Sequence, residues 1–80
     1  MSIVNVVTLL VTKSDGFNAE IVSLDVCDPM YIDDIIRDGL KGLEFLNAWK
    51  DGREEVLAYR NGAGEIYHFK TIKHSVFLND

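Results

Sequence analysis

The sequence has few of the features that hold very small proteins together. Its 80 residues include one cysteine and one proline, so an internal disulfide is excluded and no covalent staple supports the fold. Positive charge is also scarce: eight Lys and Arg stand against thirteen Asp and Glu, a formal net charge of −5. This balance argues against broad, non-specific binding to DNA or RNA. The length predicts one domain, spanning residues 1–80.

Long hydrophobic runs are missing as well. The longest uncharged stretch, Met1–Thr12, is shorter than the roughly 20 residues that cross a bilayer, and it lacks the basic start of a targeting segment. With one thiol and no such segment, we expect a cytoplasmic protein without a membrane partner. Hydrophobic residues nevertheless make up 48% of the chain, which excludes a disordered class.

The first third of the chain has the pattern of two β-strands. Ile3–Lys13 is rich in β-branched residues on both faces, which predicts a central strand. A Ser-Asp-Gly turn then leads into Phe17–Cys27, where apolar and polar residues alternate. This alternation predicts a second strand of the same hairpin, with Val22, Leu24 and Val26 on its buried face.

The last third of the chain has the same character. Arg53–Arg60 is predicted to be a strand, and Asn61–Gly64 is a strong hairpin turn that leads into a further strand, Glu65–Phe69. Thr71–Leu78 either extends that strand past a bend or forms a short fifth strand.

Between these strands the sequence predicts a helix. Asp28 can cap its start and Pro29 suits its first turn. An apolar stripe with helical spacing follows: Ile32, Ile35, Ile36, Leu40, Leu43. Gly52 after Lys50 is a plausible stop, so we expect one helix from about Pro29 to about Lys50. Gly39 lies on the stripe, where it favours close contact with the sheet or a kink.

The element order is therefore β-β-α-β-β, an α+β fold. The economical arrangement has two layers, with one helix packed on a mostly antiparallel four-stranded sheet. A chain of this length has a stability of only about 3–5 kcal/mol from its own core. Association with a partner would add to that stability.

Two groups of residues are candidates for a partner-binding surface. The first is acidic and lies in the predicted helix: Asp33, Asp34, Asp38. Acids in early helical turns are also common for purely electrostatic reasons. The second is aromatic: Phe45, Trp49, Tyr59, Tyr67, Phe69. One helix covers only one face of a sheet, so some of these side chains either meet another chain or complete the core.

The segment from His68 to His74 contains bases and no acid. Its candidates for binding an anion are His68, Lys70, Lys73, His74. Lysines on an edge strand also block unwanted strand pairing, which is the structural alternative. The two histidines are six residues apart on one predicted strand, about 20 Å by the rise per residue. We therefore predict no metal site.

The sequence contains no phosphate-binding loop, nucleophile elbow or dinucleotide fingerprint. Cys27 with His68 or His74 is the one formal nucleophile–base pair. A cysteine that closes an apolar strand usually behaves as a small hydrophobe, so we predict neither enzymatic activity nor a cofactor.

These observations favour a small acidic protein-binding module. It would act as an inhibitor or regulator of a larger protein with a basic surface, for which a nucleic-acid-handling protein is one case. Two alternatives stay open. One is a homo-oligomeric accessory protein, a homodimer being the simplest form, and the other is a binder of a small anionic ligand.

Overall fold

The computed structural model describes residues 2–79. Its elements follow the order β1 (Ser2–Ser14), β2 (Ala19–Cys27), a 3-10 turn (Pro29–Tyr31), α1 (Ile32–Gly39), β3 (Glu44–Asp51), β4 (Glu54–Arg60) and β5 (Ile66–Leu78). The strands form one antiparallel sheet in the order β2-β1-β5-β4-β3. The predicted α+β class is confirmed, but the sheet has five strands where the sequence predicted four and an optional fifth.

The predicted helix begins where expected and ends much earlier. The Asp28 carboxylate accepts a hydrogen bond from the backbone N–H of Met30 at 2.9 Å, and Pro29 opens the 3-10 turn. The helix stops at Gly39, and Gly42 adopts a φ of 77°, a left-handed conformation that glycine takes without strain. The prediction of one helix to Lys50 was therefore wrong.

The residues after this break form β3, an edge strand. It pairs with β4 through a turn of two residues, because Asp51 lies opposite Glu54. Gly52 has a φ of 62°, which fits the first position of a type II′ hairpin turn. The glycine interpreted as a helix stop is thus the corner of a hairpin.

The uncertainty about Thr71–Leu78 is resolved in favour of an extension. β5 runs without a break from Ile66 to Leu78 and pairs with β1 along its whole length. The first residues of β1 and the last of β5 extend beyond their other neighbours as a two-stranded ribbon, which gives the molecule a long dimension of 48 Å.

The helix covers one face of the sheet, and the core lies beneath it. Leu9, Val11 and Phe69 form its buried centre. The side chains packed against this centre come from α1, the following loop and the strands: Ile32, Ile36, Leu40, Leu43, Leu57, Tyr59, Tyr67. Four of the five residues of the predicted apolar stripe therefore face the sheet, and the fifth, Ile35, is exposed. Residues that alternate with Leu9 and Val11 point to the opposite face, which we call the open face.

The prediction that Val22, Leu24 and Val26 are buried was wrong. Leu24 lies opposite Leu10, and Val26 lies opposite Thr8, so both belong to the open face. All three side chains are more than half exposed. Alternation correctly indicated that Leu24 and Val26 share a face, but the helix covers the other face, and the register shift at Val22 interrupts the alternation.

Gly39 allows α1 to approach the sheet closely. A Cβ built there would lie 3.0 Å from Cε2 of Phe69, whose ring is buried. We expect Gly39→Ala to lower the free energy of unfolding by about 1 kcal/mol, because overpacking outweighs the better helix propensity of alanine. The matched control is Gly62→Ala, where a Cβ meets nothing within 4 Å. Thermal unfolding that shows the two variants equally stable would contradict this role.

Candidate binding surface

The fold leaves much of its apolar surface exposed. Within residues 2–79, six hydrophobic side chains are buried and sixteen large ones are exposed. Four of the exposed ones belong to a single edge strand and form what we call the β2 surface: Ile21, Val22, Leu24, Val26, with exposed fractions between 51% and 67%. Contiguous apolar patches on small soluble proteins mark interaction sites more often than chance.

β2 also has the backbone chemistry of a binding edge. It pairs with β1 on one side only, so its other side presents unpaired N–H and C=O groups. Natural edge strands are protected by lysine, proline, bulges or inward-pointing charges. The nine residues of β2 contain no lysine or proline, and their protection consists of a bulge at Val22 and of Asp25 opposite Leu9 on the covered face. A register shift opposite Val11 and Thr12 leaves Val22 outside the pairing with β1. An added strand can bond to this edge while apolar side chains meet the β2 surface.

The charge around β2 has one sign. Residues 15–28 contain four acids and no Lys, Arg or His. The acids are Asp15, Glu20, Asp25, Asp28. Such a segment attracts basic groups and repels a second copy of itself.

A local ion-pair cluster fixes one end of this segment. Lys13 Nζ lies 3.0 Å from Glu20 Oε1 and 3.4 Å from Glu65 Oε2. The hydrogen bond with Glu20 is the largest cause that raises the pKa of Lys13, followed by the charges of Glu20 and Glu65. Backbone N–H groups of Asn18 and Phe17 donate to the Asp15 carboxylate and hold its pKa below the ordinary value. The Lys13 ammonium and the Asp15 carboxylate therefore stay charged at neutral pH.

The predicted aromatic surface does not exist as one surface. Phe69 lies in the core, with a ring-to-ring distance of 5.8 Å from Tyr59 and 6.4 Å from Tyr67. Phe45 contacts Tyr59 edge-on at 5.4 Å on the same covered side. Trp49 lies opposite Val56 and points to the open face. The predicted helix to Lys50 would have placed Phe45 and Trp49 one turn apart on the same side. As strand residues they are three residue pairs apart along β3 and face opposite ways.

The acidic group predicted as part of a partner-binding surface lies on α1. Asp33, Asp34 and Asp38 are all exposed. Asp34 pairs with Arg37 at 3.5 Å, and Asp38 pairs with Lys41 at 3.9 Å. The sheet separates these acids from the β2 surface, so the helix and the open face cannot form one contact area.

Trp49 instead lines one side of a hollow on the open face. Its ring meets His68 edge-on at 5.8 Å, and Leu10 and Val56 form the floor of a cavity of about 290 Å³. Lys70 borders the cavity but is 3.4 Å from Glu54, so its charge is compensated. The hollow lies beside the β2 surface, because Leu10 is the β1 neighbour of Leu24.

The four residues predicted to bind an anion do not converge. His68 contacts Trp49, and Lys70 pairs with Glu54. His74 is 3.0 Å from the Thr8 hydroxyl. Lys73 lies opposite Val7 and therefore on the face that carries α1.

The formal nucleophile–base pair is also separated by the sheet. Cys27 lies opposite Val7 on the covered face, whereas His68 and His74 belong to the open face. Among residues 2–79, no three His, Cys, Asp or Glu side chains come close enough to hold a metal ion. In the same part of the chain, no helix has both the length and the apolar character to span a membrane.

Comparison with known proteins gives no family for this chain. No protein-family model matches it, and no similar curated protein or solved structure was found. The proposals below therefore depend on the geometry of the chain alone. The sequence did contain the signal for the β2 surface, since the run of apolar side chains in Phe17–Cys27 is visible there. What it did not reveal is which face the helix covers.

Proposed function

We propose that this chain is a non-enzymatic protein-binding module that binds an extended, basic segment of a larger protein along β2. The observation that carries the proposal is the coincidence of three features on one strand. β2 has an unpaired backbone edge, an exposed apolar side and four acids in residues 15–28, of which Glu20 pairs with Lys13 of β1. In strand addition, backbone hydrogen bonds to the unpaired edge supply affinity, and contacts with the exposed side chains supply specificity.

Charge selects the kind of partner. A second copy of the chain would carry the same net charge of −5. Strand pairing between two copies would bring the acids of residues 15–28 close to the same acids of the partner, and these like charges would repel each other. A partner segment with Lys or Arg beside its apolar residues would gain from the same charges. Basic surfaces of this sort are typical of proteins that handle nucleic acid, and a module bound there would act as a regulator or inhibitor.

Site-specific crosslinking in host cells tests this function. Leu24 is replaced by p-benzoylphenylalanine, and the matched control carries the same group in place of Asp34 on α1. We expect a covalent adduct with a larger, basic protein at position 24 and not at position 34, with a yield that falls as salt is raised. Equal adducts at both positions, an adduct with the mass of two copies, or no adduct at position 24 would each contradict the proposal.

A further inference from the structure

Almost every positive charge of the protein is neutralised by a neighbouring acid. The chain has eight Lys and Arg residues, and six of them form ion pairs: Lys13, Arg37, Lys41, Lys50, Arg60, Lys70. Within the part of the chain that the structure describes, Arg53 and Lys73 are the two that do not. Both side chains are exposed, and the small cavity of about 140 Å³ that both border also contains Glu55, which pairs with Lys50.

These two bases lie together. Arg53 is in the β3–β4 turn, and Lys73 is on β5 just beyond the end of its pairing with β4. Both border the same cavity, of about 470 Å³, at the end of the sheet near Pro29. No acidic side chain lines this cavity.

The rest of the lining consists of polar side chains, which are Asn5, His74 and Ser75, and an apolar wall. Ser75 donates a hydrogen bond to Oδ1 of Asn5 at 3.0 Å. This bond leaves the amide N–H groups of Asn5 as donors at the cavity. Pro29 and Val6 supply the apolar wall. A guanidinium, an ammonium and an amide that share an acid-free cavity form a donor set suited to a tetrahedral oxyanion.

We propose that this cavity binds the phosphate group of a small phosphate monoester, with Arg53 and Lys73 as its charged ligands. The volume lies within the range of small-ligand sites, about 300–1,000 Å³, so there is room for an organic part against Pro29. The site is distinct from the β2 surface, because Lys73 lies opposite Val7 on the covered face, whereas Leu24 and Val26 belong to the open face. It overlaps the predicted set in Lys73 and His74, which both line the cavity, and it adds Arg53.

The test is an NMR titration of backbone amides at constant ionic strength. The probes are inorganic phosphate and a nucleoside monophosphate, each compared with chloride. We expect saturable shifts confined to the amides around Asn5, Arg53, Lys73 and Ser75. Tighter binding of the monophosphate identifies the monoester as the ligand class, and equal or tighter binding of inorganic phosphate would overturn that part of the proposal.

Charge-matched variants make the test specific. Arg53→Gln and Lys73→Gln each remove one positive charge and a charge-assisted hydrogen bond, so each should weaken binding about tenfold or more. Lys41→Gln removes the same charge from a base on the exposed α1 side that already pairs with Asp38, and we expect less than a twofold change. Similar weakening in all three variants, or no saturable shift in the unaltered protein, would overturn the site. Neither result bears on crosslinking at position 24.

Discussion

Phe69→Ala is expected to lower the free energy of unfolding by about 3–5 kcal/mol, the usual range for removing a buried phenylalanine ring. Phe69 is 3% exposed and lies at the centre of the core. Its ring contacts Tyr59 edge-on and lies beneath Gly39, where α1 comes closest to the sheet. Removing the ring therefore leaves a cavity between the two layers that neither the helix nor the strands can fill without moving.

The expected loss for Phe69→Ala is large compared with the total free energy of unfolding of the protein. The core of a chain of this length supplies a free energy of unfolding of about 3–5 kcal/mol, and only six hydrophobic side chains are buried among the described residues. A large fraction of the variant should therefore be unfolded at room temperature. Chemical denaturation followed by circular dichroism measures the change.

The chain supplies an unusually clean control for this variant. Phe17→Ala is the same substitution at a ring that is 95% exposed, and it should leave the free energy of unfolding within about 0.5 kcal/mol of the starting value. Phe69→Leu should recover most of the loss, because it refills most of the cavity. Equal destabilisation by Phe17→Ala and Phe69→Ala would show that Phe69 is not the centre of the core.

The parts of the fold that were predictable from sequence are those set by local chemistry. Asp28 and Pro29 identified the start of the helical segment, since a carboxylate cap and a fixed φ act over one turn. The hairpin turn at Asn61–Gly64 was equally clear, and the Asn61 carboxamide accepts hydrogen bonds there from the N–H groups of Ala63 and Glu65. Each of these signals operates within a few residues.

The parts that were not predictable depend on competition between distant segments. The residues of β3 fit a helical stripe as well as a strand, and Phe45 and Trp49 have a spacing that suits either. Only the hairpin with β4 decides between them, because it gives the backbone of β3 its hydrogen-bond partners. The prediction that Leu24 is buried was wrong for a similar reason, since periodicity does not indicate on which side of the sheet the helix lies.

The short helix explains why so much apolar surface stays exposed. Eight residues of α-helix span about 12 Å, whereas five strands span about 19 Å from the first to the last. α1 therefore cannot cover even its own face from edge to edge, and the open face has no covering element among residues 2–79. A protein-binding role would bury part of what folding leaves exposed.

Leu24→Lys is the variant that should damage this role most. Leu24 is at the middle of the β2 surface and is 61% exposed. A lysine there would remove apolar contact area and set a positive charge against a basic partner. We expect association with the protein captured at position 24 to weaken about 30-fold or more, the effect of losing a central contact worth about 2 kcal/mol.

The folded state itself should hardly change, because an exposed substitution on an edge strand usually shifts stability by less than about 0.5 kcal/mol. The matched control is Leu46→Lys, which adds the same charge to β3 at a side chain that is 41% exposed. Isothermal titration calorimetry on the three proteins separates the possibilities. Equal weakening by both variants would mean that net charge, and not the β2 surface, governs association. If the unaltered protein sediments as a dimer and the Leu24→Lys variant sediments as a monomer, β2 pairs with β2 of a second copy. In that case other contacts in the dimer would have to compensate for the repulsion between the acids of the two copies.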